Sequence, residues 1–187
     1  MSRYVALLRG INVGGKNLIK MIELRACFEK QDFQEVVTYI QSGNVLFTAP
    51  GWERDELARR IEGSLTATFN YRASVVLRSR RQMQDIVRRA PDGFGAHPTK
   101  YRYDVIFLKE PLTAVTALKG MLTKPGVDEA RAGVGVVYFS RLVSRASQSQ
   151  LSRLVSLPIY QSMTIRNWNT TTKLLQMMEG RAQTGAD

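Results

Sequence analysis

Two successive stretches of the chain predict the same order of secondary-structure elements, and this repetition constrains the fold more than any single motif. In the first stretch, apolar spacing predicts strands at residues 4–8, 33–41, 45–47 and 73–77. Helices are predicted at about residues 21–30 and around the i, i+4 series Leu57, Ile61, Leu65 and Phe69. Gly43-Asn44 is expected to form a two-residue turn between the second and third strands.

The second stretch predicts strands at residues 103–108, 129–132, 134–139 and 162–165, with helices at about 112–121 and 148–155. Between the two stretches, Ser79 and Gln82 have the spacing of a capping box, which predicts a helix that ends before Pro91. Glycine and proline punctuate residues 91–99, which we call the connector and interpret as a domain boundary. A final helix is predicted at residues 170–179, followed by a polar tail.

This order predicts an α+β protein made of two ferredoxin-like βαββαβ halves with antiparallel sheets and an added C-terminal helix. The expected domains are residues 1–92 and residues 98–187, and the second includes the final helix.

The composition excludes several classes of protein. With 187 residues, of which 44% are hydrophobic, the chain is neither disordered nor collagen-like. Its apolar runs fall short of the about 20 residues of a membrane span and of a signal-peptide core, so we expect a cytoplasmic protein without membrane partners. The single cysteine, Cys27, and the single histidine, His97, exclude an internal disulfide framework and a Cys- or His-rich metal site. We predict that Cys27 is packed in the core and that His97 is not catalytic.

A glycine-rich segment directly after the first strand is the most unusual local feature. The sequence LLRGINVGGKN at residues 7–17 offers backbone N–H groups and positive charge together, as an anion site requires. Its spacing matches a P-loop, but Asn17 replaces the Ser or Thr that ligates Mg²⁺, and helical spacing begins only at Met21. We call residues 10–19 the glycine loop. Two interpretations remain open, an anion-binding loop and a glycine-rich surface turn.

A second unusual segment, TIRNWNTTTK at residues 164–173, joins the last strand to the final helix, and we call it the Trp168 segment. Asn169 is the expected N-cap of that helix. Arg166 and Lys173 are expected around the helix N-terminus, where the helix dipole disfavours each cation by roughly 0.3 to 1 kcal/mol. Because stability alone favours Asp or Glu at such positions, we interpret these cations as a sign of an anionic ligand.

Three of these segments carry a resemblance to a known family. The sequences ALLRGINVGGKN at residues 6–17, YIQSGNVLF at 39–47 and TIRNWNTTTKL at 164–174 resemble the bacterial family called domain of unknown function 1697. The resemblance extends over nearly the whole chain and implies a two-part α+β protein built from ferredoxin-like units. It implies no particular activity, because the family has no established substrate or catalytic residues.

The first functional hypothesis is a module that binds a phosphate-bearing small molecule or a nucleotide. Its candidate ligand-binding residues are Arg9, Asn12, Gly14, Gly15, Lys16, Asn17, Gln41, Ser42, Asn44, Arg166, Asn167, Trp168, Asn169 and Lys173. In a split βαβ unit we expect the glycine loop and the hairpin near Ser42 at opposite ends of the sheet, about 20 Å apart. The sequence leaves open whether the glycine loop and the Trp168 segment share one site. It also leaves open the identity of the ligand, whether there is any catalytic activity or cofactor, and the oligomeric state.

Two further hypotheses belong to other functional classes. The net charge of +11 and the pI near 10.2 favour nucleic-acid binding on an open sheet. Against it, residues 43–48 offer one aromatic, Phe47, and lack the basic-Gly-aromatic run that stacks bases. An enzyme that stabilises developing negative charge with Arg, Lys and Asn is the third hypothesis, although the sequence shows no carboxylate pair or activated serine.

Overall fold

The computed structural model describes residues 1–180, so part of the predicted polar tail lies outside the described residues. The strands are β1 Ser2–Leu8, β2 Gln34–Tyr39, β3 Asn44–Ala49, β4 Val75–Ser79, β5 Tyr101–Leu108, β6 Asp128–Gly133, β7 Val136–Leu142 and β8 Met163–Asn167. The α-helices are α1 Met21–Glu29, α2 Arg54–Phe69, α3 Arg80–Arg88, α4 Ala114–Gly120, α5 Leu151–Leu154 and α6 Trp168–Met178. Two 3-10 helices, Val143–Gln148 and Pro158–Ser162, flank α5.

The strands form two four-stranded sheets with orders β2-β3-β1-β4 and β6-β7-β5-β8. Every pairing between neighbouring strands is antiparallel. In each sheet the first strand lies between the third and the fourth, which is the ferredoxin-like arrangement of a βαββαβ sequence. The predicted fold class, α+β with two antiparallel ferredoxin-like halves and a C-terminal helix, is therefore confirmed.

The chain divides into two compact units. Among the described residues, unit 1 contains Met1–Met83 and residues 173–180, and unit 2 contains Gln84–Thr172. The domain limits 1–92 and 98–187 stay a prediction.

The core of unit 1 lies between its sheet and the helices α1 and α2. The apolar series of α2 has the predicted spacing, because Leu57, Ile61 and Leu65 are all fully buried. Aromatic rings fill the centre of this core, where the Phe47 ring centroid lies 4.7 Å from that of Phe33. Cys27 is 3% exposed, so its predicted burial in the core is confirmed.

The core of unit 2 has the same construction. Alternate residues of β5 and β7, such as Ile106 and Phe139, face α4 and α5, which contribute Ala117 and Leu154. Alternation places the intervening residues on the other face of the sheet. These two faces at the N-terminal end of β5 form the walls of the cavities described below.

Two local predictions have different outcomes. The capping box at the start of α3 is confirmed, because the Ser79 backbone N–H donates to Gln82 Oε1 at 2.9 Å and the Gln82 N–H donates to Ser79 Oγ at 3.3 Å. The predicted two-residue turn at Gly43-Asn44 is wrong, since the β2–β3 turn comprises residues 40–43. Asn44 belongs to β3 because it pairs with Leu7 of β1 and Tyr39 of β2, and its side-chain amide donates across the turn to the Tyr39 carbonyl at 2.9 Å.

Candidate functional site

The glycine loop folds into a tight hairpin tip. The Lys16 N–H donates to the Val13 carbonyl at 3.1 Å, with Gly14 and Gly15 between them at φ values of 59° and 73°. Positive φ at both central residues is what a type I′ turn requires. A Cβ atom at either glycine would meet nothing within 4 Å, so these glycines are needed for backbone conformation and not for close approach.

Asparagine side chains hold the rest of the loop. Asn12 Nδ2 donates to the carbonyls of Ile19 at 3.0 Å and Gln41 at 2.9 Å, and Asn12 Oδ1 accepts from the Ile19 N–H at 2.8 Å. Asn17 Nδ2 donates to the Gly10 carbonyl at 2.8 Å. Both N–H donors of Asn12 are therefore used for the loop's own structure.

The glycine loop and the β2–β3 turn lie side by side, so the expected separation of about 20 Å is wrong. The Leu8 N–H donates to the Gly43 carbonyl at 2.8 Å, and a Cβ on Gly43 would lie 2.6 Å from Ile11 Cδ1. The reason is topological. Because β3 runs antiparallel to β1, with Leu7 paired to Asn44, the start of β3 lies beside the end of β1.

The other predicted residues of this region have varied surroundings. Lys16 is exposed at the tip of the loop. The Arg9 backbone N–H donates to the Ser74 carbonyl at 3.0 Å. In the β2–β3 turn, Gln41 is exposed and Ser42 Oγ accepts from Asn44 Nδ2 at 3.1 Å. The region is thus held mainly by backbone groups and amide side chains.

The Trp168 segment passes from strand to helix without a linker. Asn167 is the last residue of β8, where it pairs with Asp104, and Trp168 is the first residue of α6. Asn167 Oδ1 accepts from the Thr170 N–H at 2.7 Å, which is the geometry of an N-cap. The prediction of Asn169 as the cap is therefore wrong, because the helix begins two residues earlier than expected.

Arg166 and Lys173 do not surround the first turn of α6. Arg166 is 7% exposed, and its Nη1 donates to Thr164 Oγ1 and to the Ile165 carbonyl, each at 2.8 Å. Burial lowers the pKa of the Arg166 guanidinium to about 10. Lys173 lies in the second turn of α6 and belongs to unit 1. The shared site of the glycine loop and the Trp168 segment stays a prediction.

The N-terminus of α6 lines a cavity of about 330 Å³ in unit 2, which we call the α6 cavity. Its walls are Pro98, Thr99, Tyr101, Arg102, Tyr103, Asp104, Arg141, Val143, Asn167, Trp168 and Asn169. Three of these residues, Asn167, Trp168 and Asn169, are among the candidates predicted from sequence. The three charged residues were missed.

The charged residues of the α6 cavity come from two adjacent strands. Arg102 on β5 and Arg141 on β7 are directly opposite in the antiparallel register, an arrangement that destabilises a sheet when the charges are alike. Asp104 is the one carboxylate in this wall, with its Oδ2 3.6 Å from Arg141 Nη2. Burial raises the pKa of the Asp104 carboxyl above its usual value, although Arg141 and Arg102 act to lower it. With two arginines and one aspartate in its wall, the cavity has an excess of positive charge.

Comparison with known proteins gives the family of the chain. Residues 1–138 match the model of the family described as "Protein of unknown function (DUF1697)". The chain belongs to the DUF1697 family. None of the curated proteins matches the sequence.

A solved structure agrees with the fold of this DUF1697 protein. This chain is similar to the conserved bacterial protein SP0830 from Streptococcus pneumoniae. The TM-score is 0.80 and the sequence identity is 27%, and the match covers 95% of this chain and 98% of that chain. Among residues 1–180, no helix has both the length and the apolar character that crossing a membrane requires.

A second cavity of about 310 Å³ lies on the other face of the same sheet in this DUF1697 protein. We call it the connector cavity; its walls are Pro91, Asp92, Gly93, Phe94, His97, Tyr101, Tyr103, Glu129, Arg131, Tyr138 and Ser140. Tyr101 and Tyr103 line both cavities.

The connector covers the aromatic residues of this sheet face. The Phe94 ring packs edge-on against Tyr103, Tyr138 and Trp168, with centroid distances of 4.9, 5.4 and 5.2 Å. Gly95 lies directly against the Trp168 indole, where no side chain fits. Trp168 is thus held in one orientation at the edge of the α6 cavity.

Proposed function

We propose that this protein binds a phosphate-bearing small molecule or a nucleotide, and that the α6 cavity is the binding site. The observation that carries the proposal is the pair of arginines, Arg102 and Arg141, opposite each other in a cavity that the N-terminus of α6 also lines. Like charges directly opposite each other on neighbouring strands oppose folding, and a bound anion offsets that repulsion.

The helix adds to this positive potential. The N-terminus of an α-helix carries a partial positive charge and presents backbone N–H groups, which favour phosphate oxygens. Asn167 and Asn169 supply amide groups beside it, and Trp168 and Tyr101 supply ring surfaces for a sugar or a base. A volume of about 330 Å³ is at the lower end of the range for small-molecule sites.

The glycine loop is the weaker candidate for this function. Its asparagines are engaged in holding the loop, and its glycines meet the needs of a tight turn. Lys16 offers charge at the tip, but it is exposed, and an exposed cation interacts with an anion weakly in water.

Thermal melts with a panel of nucleotides and sugar phosphates test the proposal. A ligand at about 100 times its dissociation constant adds about 2.7 kcal/mol to the free energy of unfolding by mass action. We expect Arg141→Gln to lose most of this ligand-dependent shift. Arg153→Gln, an equal loss of charge on an exposed position of α5 in the same unit, is the matched control and keeps the shift.

A further variant, Lys16→Gln, separates the two candidate sites. If the α6 cavity binds the ligand, Lys16→Gln melts like the wild type at every ligand concentration. Loss of the shift in Lys16→Gln but not in Arg141→Gln would move the site to the glycine loop. The absence of any shift across the panel in the wild-type protein would refute the proposal.

A further inference from the structure

We infer that the ligand of the α6 cavity carries a hydroxyl group beside its phosphate, as a sugar phosphate does, and that Asp104 selects it by accepting a hydrogen bond from that hydroxyl. This inference rests on the proposed function and adds to it the class of ligand and a specificity-determining residue.

The first observation is the state of the Asp104 carboxylate. Asp104 is 8% exposed and lines the α6 cavity. Its Oδ2 is buried and has no hydrogen-bond partner among residues 1–180, and its ion-pair contact, Arg141 Nη2, is 3.6 Å away, beyond hydrogen-bond distance. Buried polar groups in folded proteins are nearly always hydrogen-bonded, and each exception requires an explanation. Because Asp104 lines the cavity, a bound ligand can bring a hydrogen-bond donor to its carboxyl group.

The second observation concerns the groups beside the carboxylate in the sheet. In the strand register, Asp104 is opposite Phe139 on one side and Asn167 on the other. Phe139 has no polar group, and the Asn167 side-chain oxygen accepts from the Thr170 N–H. The one neutral donor in the strand register beside the carboxylate is therefore the Asn167 amide group, and no hydrogen bond joins it to Asp104 Oδ2.

The charges of the cavity decide which kind of donor fits. An ammonium group would be a third cation beside Arg102 and Arg141, with one carboxylate among them, and like charges at short range repel. A hydroxyl group donates a hydrogen bond without adding charge. A sugar phosphate combines both requirements, because its phosphate matches the arginines and its hydroxyl groups match the carboxylate.

Isothermal titration calorimetry with two phosphate esters tests the inference. Ribose 5-phosphate carries ring hydroxyls, and tetrahydrofurfuryl phosphate has the same ring and the same phosphate without them. Since a hydrogen bond to a charged group is among the stronger ones, we expect the wild-type protein to bind ribose 5-phosphate at least about tenfold more tightly.

The variant Asp104→Ala should then affect the affinities for the two esters differently. It should weaken ribose 5-phosphate about tenfold or more, and it should bind tetrahydrofurfuryl phosphate equally or more tightly, because a negative charge near the phosphate is gone. A variant that merely misfolds loses both ligands. Asp104→Asn keeps the shape of the side chain, and its affinity for ribose 5-phosphate should lie between those of the wild type and Asp104→Ala.

The outcomes separate this inference from the proposed function. Equal affinity of the wild-type protein for the two esters overturns the inference and leaves the proposed function intact. Parallel losses of both ligands in folded Asp104→Asn also overturn it, since they indicate a structural role. Failure of the wild type to bind ribose 5-phosphate or any nucleotide, while a phosphate compound without hydroxyl groups binds, overturns the inference alone. Failure to bind any phosphate compound overturns both.

Discussion

At the scale of single residues, asparagine side chains hydrogen-bond to backbone groups at three sharp changes of chain direction. Asn12 spans the glycine loop, Asn44 closes the β2–β3 turn and Asn167 caps α6. Asparagine suits these positions because its short amide reaches nearby backbone groups and tolerates positive φ, as Asn12 shows at 53°. These residues form motifs in the sequence because the loops require them, whether or not a ligand binds.

We predict that Asn12→Asp destabilises the protein by about 1 to 3 kcal/mol, because a carboxylate cannot donate to the carbonyls of Ile19 and Gln41, and the part-buried Ile19 carbonyl loses its partner. Urea unfolding measures the change. Asn70→Asp is the matched control, since Asn70 also has positive φ but is exposed at the end of α2. It should cost at most about 1 kcal/mol. Equal losses in the two variants would show that the Asn12 hydrogen bonds contribute nothing.

Asp104 gives the stability of the protein a specific pH dependence. The unfolded chain releases the Asp104 proton near the ordinary value of 3.8, and the folded protein releases it at a higher pH because burial raises the pKa. Between these two pH values the folded state binds more protons, so the free energy of unfolding falls as pH rises.

We therefore predict that Asp104→Asn, which cannot ionise, gains stability relative to wild type as pH rises above about 4. Urea unfolding of both proteins over a pH series, without ligand, measures the difference. Below that pH the difference should stay constant. A wild type that becomes relatively more stable with rising pH would contradict the raised pKa and indicate a dominant ion pair with Arg141.

At the scale of elements, the ends of strands and helices follow from hydrogen bonds that cross between elements. The helix α6 begins at Trp168 because Asn167 is still paired with β5 and its side chain reaches the Thr170 N–H. The apolar spacing of the helix does not contain this information, since the polar run from Asn167 to Thr172 has no periodic apolar face. Local capping boxes such as Ser79 and Gln82 are predictable because both partners are close in the sequence.

We predict that Asn167→Ala lowers the stability of the protein by about 0.5 to 2 kcal/mol through loss of the α6 cap. Asn169→Ala should change it by no more than about 0.5 kcal/mol, because Asn169 is exposed in the first turn. Chemical denaturation of the two variants makes the comparison. The reverse order of effects would restore Asn169 as the cap.

At the scale of the whole molecule, the order of the elements suffices to predict the fold, but not the charged wall of the cavity. The two βαββαβ stretches lead to the two antiparallel sheets because each strand is recognisable by its own apolar pattern. Arg102 and Arg141 lie just beyond the predicted strands 103–108 and 134–139, and only the sheet register places them opposite each other. Strand predictions extended to include these two arginines would have placed both of them in the sheet.

The whole charge of the molecule also has a testable consequence. A net charge of +11 attracts any polyanion, so we predict weak binding of a single-stranded oligonucleotide with a steep salt dependence. A phosphate ester in the α6 cavity should instead show a shallow slope of log affinity against log salt, because it neutralises few charges. Titrations between about 50 and 200 mM salt distinguish the two. An oligonucleotide that stays tightly bound at the higher salt would favour the nucleic-acid hypothesis.

The direct junction between β8 and α6 affects how a ligand meets this protein. Asn167 is held by its pairing with Asp104, and Trp168 is already part of the helix, so no flexible residue separates the two elements. Ordering one backbone residue costs roughly 1 to 2 kcal/mol of conformational entropy. A binding site on a mobile loop has this cost for every loop residue that becomes ordered when the ligand binds. A site at this junction is preorganised. The affinity of the ligand then depends on the contacts that it makes, because the protein backbone at this junction loses almost no conformational entropy on binding.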